Sequence, residues 1–154
     1  MTDHQRFMSL ALEEAERALE RNEVPVGAVI VRNGVVIARG HNQVEQLQDP
    51  TAHAEIIAIG AAANYLGSWR LKGCTLYVTL EPCPMCAGAI VLSRIDRLVF
   101  GAHDPKMGAC STLFNIVQDQ RLNHRVELIE GVSDEESRSL LRTFFEKQRS
   151  PGSN

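Results

Sequence analysis

The chain has 154 residues, 44% hydrophobic and 23% charged, which suits one domain with a real buried core and excludes a disordered chain. Its formal net charge of −3 excludes a protein that coats nucleic acid through a broad positive field, but leaves room for a local basic site. Residues 1–20 are rich in charge and lack the apolar centre of a signal peptide, and no stretch is long and apolar enough to span a bilayer, so a cytoplasmic location with four reduced cysteines is expected.

Residues 2–21 predict an amphipathic helix. Phe7, Leu10, Ala11 and Ala18, with Met8, Leu12, Ala15 and Leu19 beside them, recur at helical spacing, and Glu13, Glu16 and Glu20 lie outside that stripe. Pro25 and Gly27 then break the pattern. The runs GAVIV at 27–31 and VVIA at 35–38 flank Asn33 and Gly34, and two β-rich runs around an Asn-Gly pair predict a hairpin. The polar segment 43–51 reads as a loop, and the alanine- and isoleucine-rich segment 53–66 as a well-buried helix. A strand at 75–80, a second buried helix at 83–92, a strand at 97–101, a short helix at 112–119, a strand at 126–129 and a final helix at 133–149 complete the chain. The order α-β-β-α-β-α-β-(α)-β-α defines an α/β protein. Its central strand–helix–strand crossovers require a partly parallel sheet with helices on both faces, and the opening hairpin makes that sheet mixed. With no repeat or linker, residues 1–149 are expected to form a single domain, and the small, polar residues 150–154 a flexible tail.

Cys83 and Cys86 lie three apart at the start of a predicted helix, so both sulfurs can reach one ion. Pro84 sits in the first turn, where its missing N–H costs little, and a helix N-terminus favours the thiolates that bind metal. A sulfur pair selects zinc among common cytosolic ions. His53, also at a loop-to-helix junction, is the best third ligand. One nitrogen and two sulfurs leave a fourth position open, as in catalytic zinc sites. Glu55 is two residues beyond His53, and helical positions two apart diverge, which argues against both ligating one ion. That spacing suits Glu55 to a proton carrier at the open side of the site. The alternatives at this point are a redox-active or simply buried Cys-x-x-Cys pair, and a closed structural site drawing on Cys74 and Cys110. Neither of those two cysteines has ligand-like spacing, and both read as core thiols.

The segments TAHAE at 51–55, LYVTLEPC at 76–83, MCAGA at 85–89, NHRV at 123–126 and EVPVGA at 23–28 resemble the bacterial tRNA-specific adenosine deaminases. The likeness runs from the first helix to about Arg149. The His-x-Glu and Pro-Cys-x-x-Cys motifs alone are common to zinc deaminases of several bases, and the surrounding segments carry the finer assignment. The resemblance implies a three-layer α/β/α cytidine-deaminase-like fold around a mixed five-stranded sheet. It also implies a homodimer, one zinc ion per chain, no organic cofactor, and hydrolytic conversion of adenosine to inosine at the wobble position of a tRNA anticodon with release of ammonia. Zinc would be held by His53, Cys83 and Cys86, and Glu55 would carry protons from the attacking water to the ring and the departing amino group. The partner would be an anticodon stem-loop, whose unpaired bases lower the cost of extrusion.

Asn42 matches a family position that contacts the target nucleotide, and reads equally as a turn residue after a strand. In the segment 101–108, Asp104 and Lys106 match positions near the RNA, while His103 and Met107 occupy positions expected to vary and leave the flanking-base preference open. His103 is not expected to be a fourth ligand. Arg138, Arg142, Phe145 and Arg149 share a narrow stripe of the last helix, which suits phosphate contact and base stacking; by resemblance Phe145 approaches the substrate. The plainer reading of that stripe is solvated arginines, with Phe144 and Phe145 packed beside Leu140 and Leu141, and for Phe144 that packing is the expectation. Two other functions remain in view. A deaminase of a free nucleobase or nucleotide (guanine, cytosine or deoxycytidylate type) would use the same zinc chemistry in a small closed pocket, and the basic-aromatic stripe leans against it. A zinc-stabilised RNA-binding or assembly domain would have no use for Glu55.

Overall fold

The computed structural model describes residues 1–149, and the expected tail at 150–154 lies outside the described residues. Asn33 and Gly34 both take positive φ, 52° and 75°, as a two-residue primed turn requires. They join β1 (Gly27–Arg32) to β2 (Val35–His41) in an antiparallel pair with an irregularity between Ile30 and Val31. β2 runs three residues beyond the apolar run that predicts it, because Arg39, Gly40 and His41 go on pairing with Val29, Ala28 and Gly27. The other edge of β1 pairs antiparallel with β3 (Cys74–Leu80). β4 (Arg97–Ala102) and β5 (Glu127–Ile129) then add in parallel, giving the order β2-β1-β3-β4-β5.

Alternation along the strands divides the core in two. On one face, α1 (Asp3–Glu20) buries Phe7, Met8 and Ala11 against Val29, Val31, Tyr77 and Val99. Thr2 starts this helix with a capping box: its hydroxyl accepts the Gln5 N–H, and the Gln5 side chain accepts the Thr2 N–H. α5 (Asp134–Arg149) packs on the same side, against α1 and β4. On the other face, Ala28, Ile30, Leu76, Val78, Leu98 and Phe100 meet Ala54, Ala58 and Ala62 of α3 (Ala54–Leu66) and Ala87, Ile90 and Val91 of α4 (Pro84–Leu92). The result is the expected three-layer α/β/α architecture. Alanine on α3 and glycine on β2 let helix and strand approach closely: a Cβ at Gly40 would stand 2.6 Å from the Ala54 carbonyl oxygen. No helix among the described residues is long and apolar enough to cross a membrane.

Two segments differ from expectation. The 43–51 loop contains a short helix, α2 (Val44–Leu47). Residues 112–119 form only a 3-10 turn at Ile116–Gln118, preceded by a bridge between Cys110 and Asn115. The Ile116 N–H, which an α-helix begun at Thr112 would give to the Thr112 carbonyl, goes to the Ala109 carbonyl instead, and the Leu113 and Phe114 N–H groups go back to the Gly108 carbonyl, so no α-helical ladder forms there.

Candidate metal centre and active site

α3 and α4 begin side by side, just past the end of β2 and the end of β3 respectively. His53 is the N-cap residue of α3 and Cys83 that of α4, both with extended backbone, and Cys86 follows in the first turn of α4. Neither cap residue spends its side chain on a backbone N–H. At α3, Asn42 does that work instead, its Oδ1 accepting the Ala54 N–H at 2.9 Å, which leaves the His53 ring free. His53 Nδ1 lies 3.6 Å from Cys83 Sγ and 3.5 Å from Cys86 Sγ. All three ligand atoms fall within 4.8 Å of one another, and they form the metal-binding group of this kind found among the described residues. A tetrahedral zinc ion with bonds of about 2.3 Å to sulfur and about 2.0 Å to nitrogen requires N···S separations of about 3.5 Å, so the donor set and spacing fit that ion.

The protonation of these groups follows from their contacts. The hydrogen bond from Cys86, helped by His53, holds the Cys83 thiol down at about 4 despite its burial. Cys86 is driven the other way, first by that same bond and then by burial and the nearby Glu55 carboxyl. His53 is raised by its bond with Cys83, against the opposing effect of burial. Glu55, in the first turn of α3 and 4% exposed, is pushed up to about 7 by burial. Its carboxyl is within hydrogen-bonding reach of Cys86, so it sits beside the three donors without being one of them.

His53, Glu55 and Cys83 line a cavity of about 580 Å³, with Cys86 buried beside them. One wall comes from the turn after α1 (Arg21, Glu23, Val24) and from Asn42, Val44 and Glu45. The opposite wall is Leu80, Glu81, Asp104 and Met107, and α5 contributes Phe144 and Gln148. A carboxyl with neutral-range protonation, three soft donors and an open cavity above them make an arrangement able to activate water against a bound base.

A family profile described as MafB19-like deaminase matches residues 2–149. The tRNA-specific adenosine deaminase of Bacillus subtilis (strain 168) is 53% identical over 149 residues, which cover 97% of this chain and 92% of that protein. The chain belongs to the tRNA-specific adenosine deaminase family. The deaminase of the same description from Aquifex aeolicus (strain VF5) is 52% identical, across 93% of this chain and 94% of its own length. A solved structure from studies of A-to-I editing by tRNA:A34 deaminases at the wobble position of transfer RNA matches with a TM-score of 0.85 and 49% identity, covering 88% of this chain and 99% of that one.

Of the residues singled out in the sequence of this deaminase, His53, Cys83, Cys86 and Glu55 come together, and Asn42 and Asp104 line the same cavity. Lys106, Phe145 and Arg149 lie outside its lining. Phe144 is buried and meets the ring of Phe145 in a T-shaped contact, while Phe145 itself is exposed. Arg138 and Arg142 are exposed but paired with acids of their own helix: Arg138 with Asp134 and Glu135, Arg142 with Glu135. His103 hydrogen-bonds Glu130 at 3.0 Å and meets the Phe100 ring edge-on, away from the donors. Cys74 and Cys110 are buried, as expected of core thiols.

Two residues with no role in the sequence reading prove central. Glu23 is buried, and its carboxylate accepts the N–H groups of Glu45 and Gln46, fixing the α2 turn at the cavity wall. Glu81, also buried, does the same for the opposite wall. Both fall inside the quoted EVPVGA and LYVTLEPC segments, an acid set among apolar residues being the one signal available. Arg21 and Gln148, which also line the cavity, carry no such signal.

Proposed function

We propose that this chain catalyses hydrolytic deamination of adenosine to inosine at the wobble position of a tRNA anticodon, with ammonia as the other product. The observation that carries this reading is the buried Glu55 carboxyl beside the His53–Cys83–Cys86 group at an open cavity that Glu55, His53 and Cys83 line, in a chain about half identical to tRNA-specific adenosine deaminases.

His53 Nδ1 and the sulfurs of Cys83 and Cys86 would hold one zinc ion per chain. When bound, zinc supplies a water acidified enough to act as nucleophile near neutral pH. Glu55 accepts a proton from the attacking water and passes it to the purine ring as C6 is attacked; it then takes the proton of the new C6 hydroxyl and delivers it to the amino group, which leaves as ammonia while C6 becomes a carbonyl. Asn42 holds α3 through Ala54 and keeps its amide N–H₂ for the target nucleotide. Asp104 shapes its loop by accepting the Lys106 and Met107 N–H groups at 3.0 and 3.2 Å, and the rest of its carboxylate faces the substrate. Lys106, Phe145 and Arg149, outside the cavity, contact the flanking nucleotides and phosphates of the anticodon stem-loop. The chain works in the cytoplasm, where its substrate is.

The same reading includes a homodimer. Its support is the run of exposed apolar side chains on neighbouring helices, Tyr65 of α3 and Met85 and Leu92 of α4, on the face turned away from the sheet.

The test is incubation of zinc-loaded protein with tRNA transcripts bearing wobble adenosine, with inosine scored by sequencing. Inosine at that position, absent with Glu55→Ala and with wobble cytidine, is the expected result. Turnover of free guanine, cytosine or deoxycytidylate with untouched tRNA would replace this reading with the small-molecule one.

A further inference from the structure

The Glu81 carboxylate is almost fully buried, at 2% exposure, and no cation pairs with it among the described residues. A buried carboxylate is unfavourable unless donors surround it. Here they all come from one loop. Oε1 accepts the N–H of Asp104 at 3.0 Å and the hydroxyl of Thr112. Oε2 accepts the N–H groups of Cys110, Ser111 and Thr112 at 3.2, 2.9 and 2.9 Å. These bonds outweigh the upward push of burial, and the carboxyl lies below its ordinary value.

The loop is shaped to wrap that group. A Cβ on Gly108 would come within 2.5 Å of the Glu81 carboxyl carbon and of Oε1, so no larger residue fits while the carboxylate stays in place. Outside the carboxylate, the Glu81 N–H donates to the Ala102 carbonyl at 2.8 Å, and the Ala109 N–H donates to the Pro82 carbonyl at 2.9 Å. The loop is thus fastened, by side chain and backbone together, to the three residues that run from the end of β3 to Cys83. Asp104 and Met107, carried by the same loop, form one wall of the cavity.

We propose that Glu81 is a positioning residue: its carboxylate locks the 104–112 loop to the Cys83 turn, so that the wall carrying Asp104 and Met107 stands at a fixed distance from the reacting centre before substrate arrives. The inference builds on the proposed tRNA activity only for its substrate readout. A preformed wall avoids ordering the loop at each binding event, and it aligns the base with Glu55 to within the tolerance that catalysis demands.

Glu81→Gln tests the lock. Glutamine has one acceptor oxygen for five donors, and its amide N–H₂ would face N–H groups. In the zinc-loaded full chain, amide exchange at 110–112 is expected to accelerate roughly ten-fold or more while α3 and β3 stay protected. Zinc content should remain at one per chain, and KM for an anticodon stem-loop should rise about ten-fold, well beyond the change in kcat. Glu81→Asp, which restores the charge on a shorter arm, should recover part of the KM loss. Thr112→Val removes a single donor and should give a smaller shift of the same kind; it carries the test if Glu81→Gln fails to fold. Unchanged exchange at 110–112 in these variants would overturn the proposal. So would zinc loss with the loop still protected, which would place the role of Glu81 at the ligand turn instead. If wild-type protein makes no inosine in tRNA, the functional reading fails, and the exchange measurement still decides the lock.

Discussion

Gly40→Ala tests whether strand packing sets the metal site. Gly40 lies on β2 under the first turns of α3, and a Cβ there would stand 2.6 Å from the Ala54 carbonyl oxygen, 3.0 Å from the Ala58 nitrogen and 3.2 Å from the Ile57 Cβ. Ordinary contact begins near 3.4 Å, so the helix start must retreat by about 0.8 Å, or the strand must bend by as much. Ala54 directly follows His53, and the retreat carries the imidazole with it. Metal sites tolerate ligand displacements of about 0.2 Å, a quarter of that movement. The His53–sulfur separations of 3.5 and 3.6 Å would open, and zinc affinity should fall about 10- to 100-fold, with a further loss of about 1–3 kcal/mol from overpacking. Chelator competition for zinc and urea unfolding of loaded and stripped protein would read the two effects separately. Gly60→Ala is the control on the same helix: nothing lies within 4 Å of its Cβ, so zinc affinity should hold and stability should rise by up to about 1 kcal/mol. Wild-type zinc affinity in Gly40→Ala would refute the reasoning, because it would mean the helix start moves independently of the ligand it carries.

Glu55→Gln should keep zinc and fold but lose activity by about 10²- to 10⁴-fold, and single-turnover inosine formation at the wild-type rate would remove Glu55 from the chemistry. Chelation should abolish turnover and lower the thermal midpoint, both restored by zinc; a chelated protein with its full midpoint would show that the His53–Cys83–Cys86 group does not stabilise the fold through a metal. Leu92→Glu should shift sedimentation at micromolar concentration from dimer to monomer, and a wild-type protein that already sediments as a monomer would end the dimer proposal. The Glu130 carboxyl lies below its ordinary 4.5 because Ser111 and His103 hydrogen-bond to it. A lowered folded value gives stability that is full above the ordinary pKa and is lost as pH falls through the folded one. Glu130→Gln should therefore flatten the acid limb of the stability profile below pH 4.5, and a limb of unchanged slope would count against this pairing.

What the sequence discloses depends on whether a residue acts through local spacing or through distant partners. Cys83 and Cys86 announce a metal group because their three-residue spacing already puts both sulfurs on one helix start, and Asn33-Gly34 announces a hairpin because asparagine and glycine readily take the two positive φ values that the turn requires. The β2 extension through His41 is hidden because its polar residues are satisfied by register with β1 rather than by alternation. The expected helix at 112–119 fails for the same kind of reason: Glu81, 30 and 31 positions upstream, holds Ser111 and Thr112 around its carboxylate, and the Ile116 N–H bonds the Ala109 carbonyl rather than that of Thr112. Glu23 and Glu81 look like surface acids in a linear reading, and only the folded chain shows the N–H groups that converge on them. On α5, periodicity identifies an exposed stripe but cannot show that Arg138 and Arg142 are held by Asp134 and Glu135, or that Phe144 and Gln148 turn towards the cavity.

Those pairings bear on how an acidic protein would take a polyanionic substrate. The cavity is lined by Glu23, Glu45, Glu55, Glu81 and Asp104, with Arg21 as the cation among its lining residues. The Glu23 and Glu81 carboxylates are tied up by backbone N–H groups, and burial pushes Glu55 up to about 7. Such a lining suits an uncharged purine better than a phosphate, so under the proposed function the base would enter while the backbone of the RNA stays outside. The affinity for that backbone must then come from cations beyond the rim. Lys106 and Arg149 have no acidic partner in the ion pairs of the described residues, unlike Arg138 and Arg142, and the proposed function gives them that role. Reversing both, Lys106→Glu with Arg149→Glu, should weaken stem-loop binding and reduce the slope of log affinity against log salt by about 1–2, with single-turnover chemistry on saturating substrate nearly intact. An unchanged slope would assign the phosphate contacts to the paired arginines of α5 instead.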